Sequence, residues 1–426
     1  MSRAYLSCID PACGQSHPLA LKMPKCGACG SLLDVAYEFD RVAPADLRRL
    51  WRDRLSTSHA ADRSGVWRFR ELLSFLPSTI SPVTLGEGAT PLVEAPRAGR
   101  WAGEVRLSAK HLGANPTGSF KDLGMTACIS AALSVRAQVV ACASTGNTSS
   151  SMAAYAARAG LPAVMFVPHQ GISAAKLVQA AEFGARVIEV RGTFDDAFCL
   201  LEAVAAERSL HVVNSINPFR IEGQKTAVVE LLEQRGWRAP DFLVLPGGNL
   251  GNVSAMGKGL RELAALGLLD RPPRLAVIQA AGAAPFYRGW DSGRAIEPVA
   301  HPETEASAIR IGRPANWPKA RRELEWTRGL VESVTDGEIA EAKAALAADG
   351  IGCEPASAAT VAGVRKLRQR GRIPPASEVV IILTGHQLKD PDYILRHQAG
   401  PEDKSHVIID ADPDAARRAL DTLLAG

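Results

Sequence analysis

The 426-residue chain is 46% hydrophobic and 22% charged, a balance that excludes a disordered or fibrous protein and supports two domains or more. Its 49 basic and 45 acidic residues leave a net charge of +4, too small and too scattered for a nucleic-acid footprint. No stretch reaches the ~20 consecutive apolar residues of a membrane span, and MSRAYLSCID lacks the apolar core of a secretory signal. A cytoplasmic protein with no nucleic-acid or membrane partner is expected.

Residues 1–40 are rich in Cys and Gly and too short to bury a core alone. Cys8, Cys13, Cys26 and Cys29 are spaced C-x4-C-x12-C-x2-C, close to a ribbon-type tetrathiolate. Four thiolates leave no open coordination position, so a metal there, structural zinc, would not be catalytic. The other four cysteines (Cys128, Cys142, Cys199, Cys353) stand alone in apolar segments and read as small buried side chains. Residues 45–80 look helical, and GEGATPL (86–92) is a Gly-punctuated turn. Beyond it, short apolar runs alternate with amphipathic ones. Strand-like runs fall at 137–143, 162–168, 185–190 and 211–215, then at 241–246, 274–280 and 378–383. Helical stretches fall at 219–235, 252–266, 337–349 and 356–370. The basic run VRKLRQRGR (364–372) reads as a solvated helix face. Such alternation predicts an α/β protein with parallel sheets, in two lobes with a cleft between them.

In open α/β sheets, ligands gather beyond the carboxyl ends of the strands. NPTGSFKD (115–122) places Lys121 where a turn-rich loop becomes a helix. The positive end of the helix dipole and apolar neighbours both disfavour the ammonium form there, which suits an amine that attacks an aldehyde. STGNTSSS (144–151) leads from strand into helix and forms an anion pocket of backbone N–H groups, with Ser144, Thr145, Asn147 and Thr148 as further donors. In LPGGNLGN (245–252), Gly247, Gly248 and Gly251 let the backbone approach a phosphate. It has neither dinucleotide-fingerprint nor Walker spacing. A further strand delivers Thr384 and His386 in TGHQLKDP (384–391) to the same edge.

NPTGSFKD, STGNTSSS, NSINPFRIEGQKT (214–226), GGNLGN and TGHQLKDP, with GEGATPL upstream, together resemble the pyridoxal-phosphate enzymes of fold type II, and threonine synthase most closely among them. The resemblance implies a two-lobed α/β fold with parallel sheets flanked by helices. Its parts would be a zinc-ribbon-like module (1–40), a large cofactor domain (41–121 and 216–400), a small α/β domain (122–215) and a C-terminal extension (401–426), in a homodimer. Lys121 would hold pyridoxal 5'-phosphate covalently and shuttle protons among the substrate carbons. Phe120 would pack by the ring, Asn147 would bond its phenolic oxygen, and Thr384 would face its nitrogen. Gly247, Gly248, Asn249, Leu250, Gly251 and Asn252 would cradle its phosphate. The substrate would be O-phosphohomoserine, its α-carboxylate held by Ser144, Thr145, Gly146 and Asn147, its phosphate by Arg220 with Asn214, Ser215, Thr148 and Asn249.

Two positions depart from the family pattern: Leu123 stands where arginine is usual, and Gln387 where glycine is usual. They leave room for a related elimination or replacement enzyme acting on another phosphorylated amino acid, cysteate-synthase-like, or for a threonine dehydratase. A non-catalytic binding protein on the same scaffold would have lost cofactor-bonding residues, and these are intact.

Overall fold

The computed structural model describes residues 3–20, 24–169, 174–208, 210–398 and 407–424. Its strands, in chain order, are β1 (Arg3–Cys8), β2 (Ser16–His17), β3 (Leu33–Glu38), β4 (Leu92–Glu94), β5 (Arg106–His111), β6 (Val140–Ala143), β7 (Ala163–Pro168), β8 (Arg186–Val190), β9 (His211–Val212), β10 (Phe242–Pro246), β11 (Arg274–Ala280), β12 (Leu330–Val334) and β13 (Glu378–Leu383). They form three sheets, ordered β2-β1-β3, β12-β11-β10-β13-β5-β4 and β8-β7-β6-β9. The first is antiparallel, the third parallel, and the six-stranded sheet is parallel except for β4 at its edge. FLVLP, RLAVIQA and EVVIIL in β10, β11 and β13 are near-continuous apolar runs, as strands covered on both faces require.

The parallel order carries the loops after β5, β6, β10 and β13 to the carboxyl ends of their sheets, each running towards a helix or helical turn. The helices Lys121–Ser134 and Pro218–Gln234 are buried along almost their whole length and cross very closely. A Cβ at Gly223 would drive into the Leu123 carbonyl oxygen, and one at Gly124 would lie 2.7 Å from the Arg220 carbonyl oxygen. Only glycine permits that approach, and it sets Arg220 directly against Lys121's helix.

Three expectations are corrected: the run at 211–215, Cys199 and the segment 45–80. The run at 211–215 leaves the sheet after Val212, because Asn217 N–H donates to the Asn214 carbonyl and turns the chain. Cys199 is exposed, while Cys128, Cys142 and Cys353 are buried as expected. The segment 45–80 is helical only in pieces, Pro44–Asp53 and shorter turns to Leu73. Met1–Lys389 forms one compact unit and the chain from Asp390 another. The second contains the helices Pro391–Gln398 and Pro413–Leu424; positions 401–406 and 425–426 of the C-terminal extension lie outside the described residues. Among the described residues no helix is long and apolar enough to cross a membrane.

Candidate active site

The loop before Lys121 is built by short-range bonds. Gly118 N–H donates to the Asn115 carbonyl at 2.8 Å, and Asp122 accepts from the Thr117 N–H at 2.7 Å and its hydroxyl at 2.6 Å. The loop then pairs with the end of β13. Phe120 N–H donates to the Thr384 carbonyl, and His386 N–H to the Gly118 carbonyl, both at 2.9 Å. Lys121 is thereby the first residue of its helix and lies against the Thr384 loop. Its Nζ sits 4.3 Å from the centre of the Phe120 ring. Burial, with the Arg220 cation adding to it and Glu354 opposing, pulls the Lys121 amine down to about 7. The direction is the one expected from the sequence; burial and Arg220 are the causes found.

Glu354 is the site residue that the sequence reading missed. It precedes the helix Pro355–Gln369 and is 3% exposed. Its Oε1 accepts from the Thr384 hydroxyl at 2.7 Å, and its Oε2 from Asn147 Nδ2 at 3.1 Å. Its N–H donates to the Gly385 carbonyl at 3.0 Å. A Cβ at Gly385 would lie 2.6 Å from Glu354 Oε1, so that glycine makes room for the carboxylate. Two expected cofactor contacts, Asn147 and Thr384, are therefore joined by a third group. The available signal was a lone acid in the apolar stretch CEPASAA (353–359).

Arg220 is 1% exposed. Its Nη1 donates to the Val213 carbonyl at 2.8 Å, while Nε and Nη2 have no partner. A buried cation with two orphaned donors fits an anionic ligand, because leaving such groups unpaired costs about 1–3 kcal/mol each. Asn214 is engaged at both ends of its amide, accepting from Ala143 N–H at 3.0 Å and donating to the Ala143 carbonyl at 2.9 Å. It fixes the end of β6 and so the start of the Ser144–Thr148 loop. Ser144 Oγ accepts from Gly146 N–H at 3.2 Å. Thr145, Gly146 and Thr148 are half-buried at the N-terminus of the helix Asn147–Ala159, and a Cβ at Gly146 would meet open space.

The glycine loop follows β10 into the helix Gly251–Ala265. Leu250 has φ +61°, the left-handed region, directly before that helix. Gly247 is pinned on both sides: its N–H donates to the Ile278 carbonyl at 2.6 Å, and its carbonyl accepts from Gln279 Nε2 at 3.1 Å. A Cβ at Gly248 would lie 3.1 Å from the Ala308 carbonyl oxygen. Asn249 donates to Ser215 Oγ at 2.7 Å and accepts from Ala315 N–H at 2.6 Å, tying this loop to the Arg220 segment. Both amide atoms of Asn252 and the Ser119 hydroxyl are buried without partners. Orphaned polar atoms in the helix that the glycine loop enters and in the Lys121 loop fit a phosphate-bearing cofactor.

The departures from the family pattern sit apart from these contacts. Leu123 is buried in the helix core. Gln387 is exposed, and its side chain lies over Gly352. In the N-terminal module the four cysteine Sγ atoms all lie within 4.8 Å of one another, with Cys8–Cys29 at 3.5 Å and Cys13–Cys26 at 3.8 Å. This module is docked by buried charge. Lys319 reaches Asp34 at 2.8 Å, Tyr37 donates to Glu222 at 2.6 Å, and Lys258 bridges Glu222 and the Val35 carbonyl.

A family model described as pyridoxal-phosphate dependent enzyme matches residues 83–385. The chain is 42% identical over 418 residues to the threonine synthase of Methanosarcina acetivorans, covering 98% of each chain. The chain belongs to the threonine synthases. It is 47% identical over 345 residues to the threonine synthase of Synechocystis, covering 79% of this chain and 88% of that one. The solved threonine synthase of Escherichia coli superposes with a TM-score of 0.69 at 19% identity, covering 98% of this chain and 94% of that one, which shows the shared fold. Membership makes the chain a pyridoxal-phosphate-dependent enzyme, as the motifs implied.

Proposed function

We propose that this chain converts O-phosphohomoserine and water into threonine and phosphate. The observation that carries this is Arg220: a buried guanidinium with two unpartnered nitrogens, close enough to depress the amine of Lys121. When bound, pyridoxal phosphate supplies the electron sink that allows protons to leave Cα and Cβ and phosphate to leave Cγ. Lys121 would attach the cofactor, and once the substrate amine has taken its place on the cofactor its freed amine, uncharged above about pH 7, would accept and return those protons. The Gly247–Asn252 loop would take the cofactor phosphate, with Phe120, Asn147 and Thr384 around its ring. Arg220 Nε and Nη2 would bind the substrate phosphate and stabilise the charge that builds on it as it leaves. Ser215, Asn249 and Thr148 would complete that pocket, with Asn214 holding it in place through Ala143. Ser144, Thr145 and Gly146 would receive the α-carboxylate.

The same reading divides the chain into a module at 1–40, a large cofactor domain (41–121 and 216–400), a small domain (122–215) and an extension at 401–426, in a cytoplasmic homodimer. Cys8, Cys13, Cys26 and Cys29 would hold structural zinc. Their closest sulfur separations, 3.5 and 3.8 Å, suit the ~3.8 Å edge of a tetrahedron with Zn–S of ~2.3 Å.

Phosphate release by the cofactor-loaded protein, compared between O-phosphohomoserine and O-phosphoserine, tests the substrate. The reading requires the first to be turned over and the second to be poor; the reverse preference would replace it with a β-replacement enzyme on phosphoserine.

A further inference from the structure

A threonine hydroxyl beside a pyridine nitrogen is by itself a poor proton source, since its proton cannot be given up without a second group to replace it. In this chain a second group is in contact with it. Thr384 Oγ1 lies 2.7 Å from Glu354 Oε1 and 2.9 Å from Ser357 Oγ, all three buried.

The direction of the hydrogen bonds follows from counting donors. A hydroxyl has one proton and two lone pairs. Ser357 Oγ already accepts from Thr384 N–H at 2.8 Å and Gly385 N–H at 3.3 Å, so both lone pairs are used. Its own proton must therefore be donated, and Thr384 Oγ1 is the partner in reach. Thr384 Oγ1 is left with one lone pair and its own proton, shared between Glu354 on one side and whatever ligand it faces on the other. Asn147 Nδ2 donates to Glu354 Oε2, so once the Thr384 hydroxyl turns its own proton from Glu354 Oε1 to a ligand, a carboxyl proton sits on Oε1 and is donated to the remaining lone pair of Thr384.

We infer that Glu354 is a positioning residue that supplies a proton through Thr384 to the cofactor's ring nitrogen. This rests on the reading above, in which Thr384 faces that nitrogen. The step balances: the Glu354 Oε1–H bond breaks as a Thr384 Oγ1–H bond forms, the original Thr384 O–H bond breaks as an N–H bond forms, and Glu354 is left a carboxylate. Return of the electron pair from the ring reverses it. The relay lets a hydroxyl site stabilise charge arriving in the ring without a carboxylate touching the nitrogen.

The surroundings suit a group that keeps its proton near neutrality. Burial raises the Glu354 carboxyl above the usual carboxylate range; the hydrogen bonds from Thr384 and Asn147 and the facing cations oppose this without cancelling it. Those cations are Lys121, at the start of its helix, and Lys389, in the turn after β13.

The test uses holoenzyme reconstituted with pyridoxal phosphate labelled with nitrogen-15 in the ring, followed by NMR from acid to alkaline pH. Cofactor loading is monitored separately by its visible absorption and by borohydride fixation to Lys121. In the unaltered protein the ring resonance should move with pH between the protonated and unprotonated positions. In Glu354→Gln, whose amide can donate a hydrogen bond to Thr384 but cannot release a proton, it should stay unprotonated throughout. A resonance fixed at the unprotonated position in the unaltered holoenzyme, or a Glu354→Gln profile that tracks it, overturns the relay while leaving the cofactor site standing. Where the variant loads poorly, the unaltered protein still tests the relay, because a ring that never protonates overturns it. Failure of the unaltered chain to take up the cofactor at Lys121 would sink the reading beneath it as well.

Discussion

Replacing Arg220 with methionine separates a residue kept for a ligand from one kept for the fold. In the ligand-free protein the guanidinium makes one hydrogen bond, to the Val213 carbonyl, and leaves Nε and Nη2 buried without partners. Arg220→Met loses the first, at about 1–3 kcal/mol for the orphaned carbonyl, and removes two orphaned donors worth about 1–3 kcal/mol each. The side chain is of similar length, so little cavity opens. The variant should therefore be more stable than the unaltered protein by about 1–3 kcal/mol. The assay is urea unfolding of cofactor-loaded protein, so that the glycine loop is filled, with and without inorganic phosphate. Phosphate at 100 times its Kd should stabilise the unaltered protein by about 2.7 kcal/mol and leave the variant unmoved. A variant several kcal/mol less stable, with phosphate acting equally on both, would refute a ligand-binding Arg220 and make it a structural residue.

Four further outcomes are expected. The rate of cofactor attachment should rise with pH and level off with a midpoint near 7, since only the free amine of Lys121 attacks; in Arg220→Met, with the neighbouring cation gone, stopped-flow absorbance should place that midpoint higher. Lys121→Ala should show no borohydride-stable mass increment, where the unaltered protein gains one cofactor per chain. Lys110→Met should cost about 3–5 kcal/mol in urea unfolding, because it strands the buried Glu230 that also accepts from Ala89 and Thr90 N–H in the GEGATPL turn. Metal analysis should find one zinc per chain, lost in a Cys26→Ser variant together with part of the stability; full stability without metal would rule out a structural zinc.

Where apolar runs and turn formers carry the signal, the sequence was readable. β10, β11 and β13 are continuous hydrophobic segments, and each site loop is a Gly/Ser/Thr/Asn stretch between a strand and a helix. Two of the strands it hid bury charge. β5 contains Lys110, which is buried because Glu230 pairs with it, and β12 contains Glu332, buried against Arg370 at 2.7 Å. Local pattern alone reads such residues as surface. Glu354 was missed for a related reason: its position depends on the pairing of residues 118–120 with 384–386 and on the missing side chain of Gly385, contacts far apart in the chain. The docking of the cysteine module by Asp34, Tyr37, Glu222, Lys258 and Lys319 was equally invisible, being spread over nearly 300 positions. Asn214 was expected as a substrate contact; its amide is bound at both ends to Ala143, which leaves one N–H and one lone pair for a ligand.

Turnover of O-phosphohomoserine in water enriched with oxygen-18 tests the central claim most directly, because it reports which bond breaks. Elimination of phosphate from Cγ followed by water addition at Cβ predicts threonine carrying one heavy oxygen and phosphate carrying none. Heavy oxygen in the phosphate with homoserine as the product would mean simple hydrolysis at phosphorus, and would contradict the roles of Lys121 as proton carrier and Arg220 as phosphate ligand.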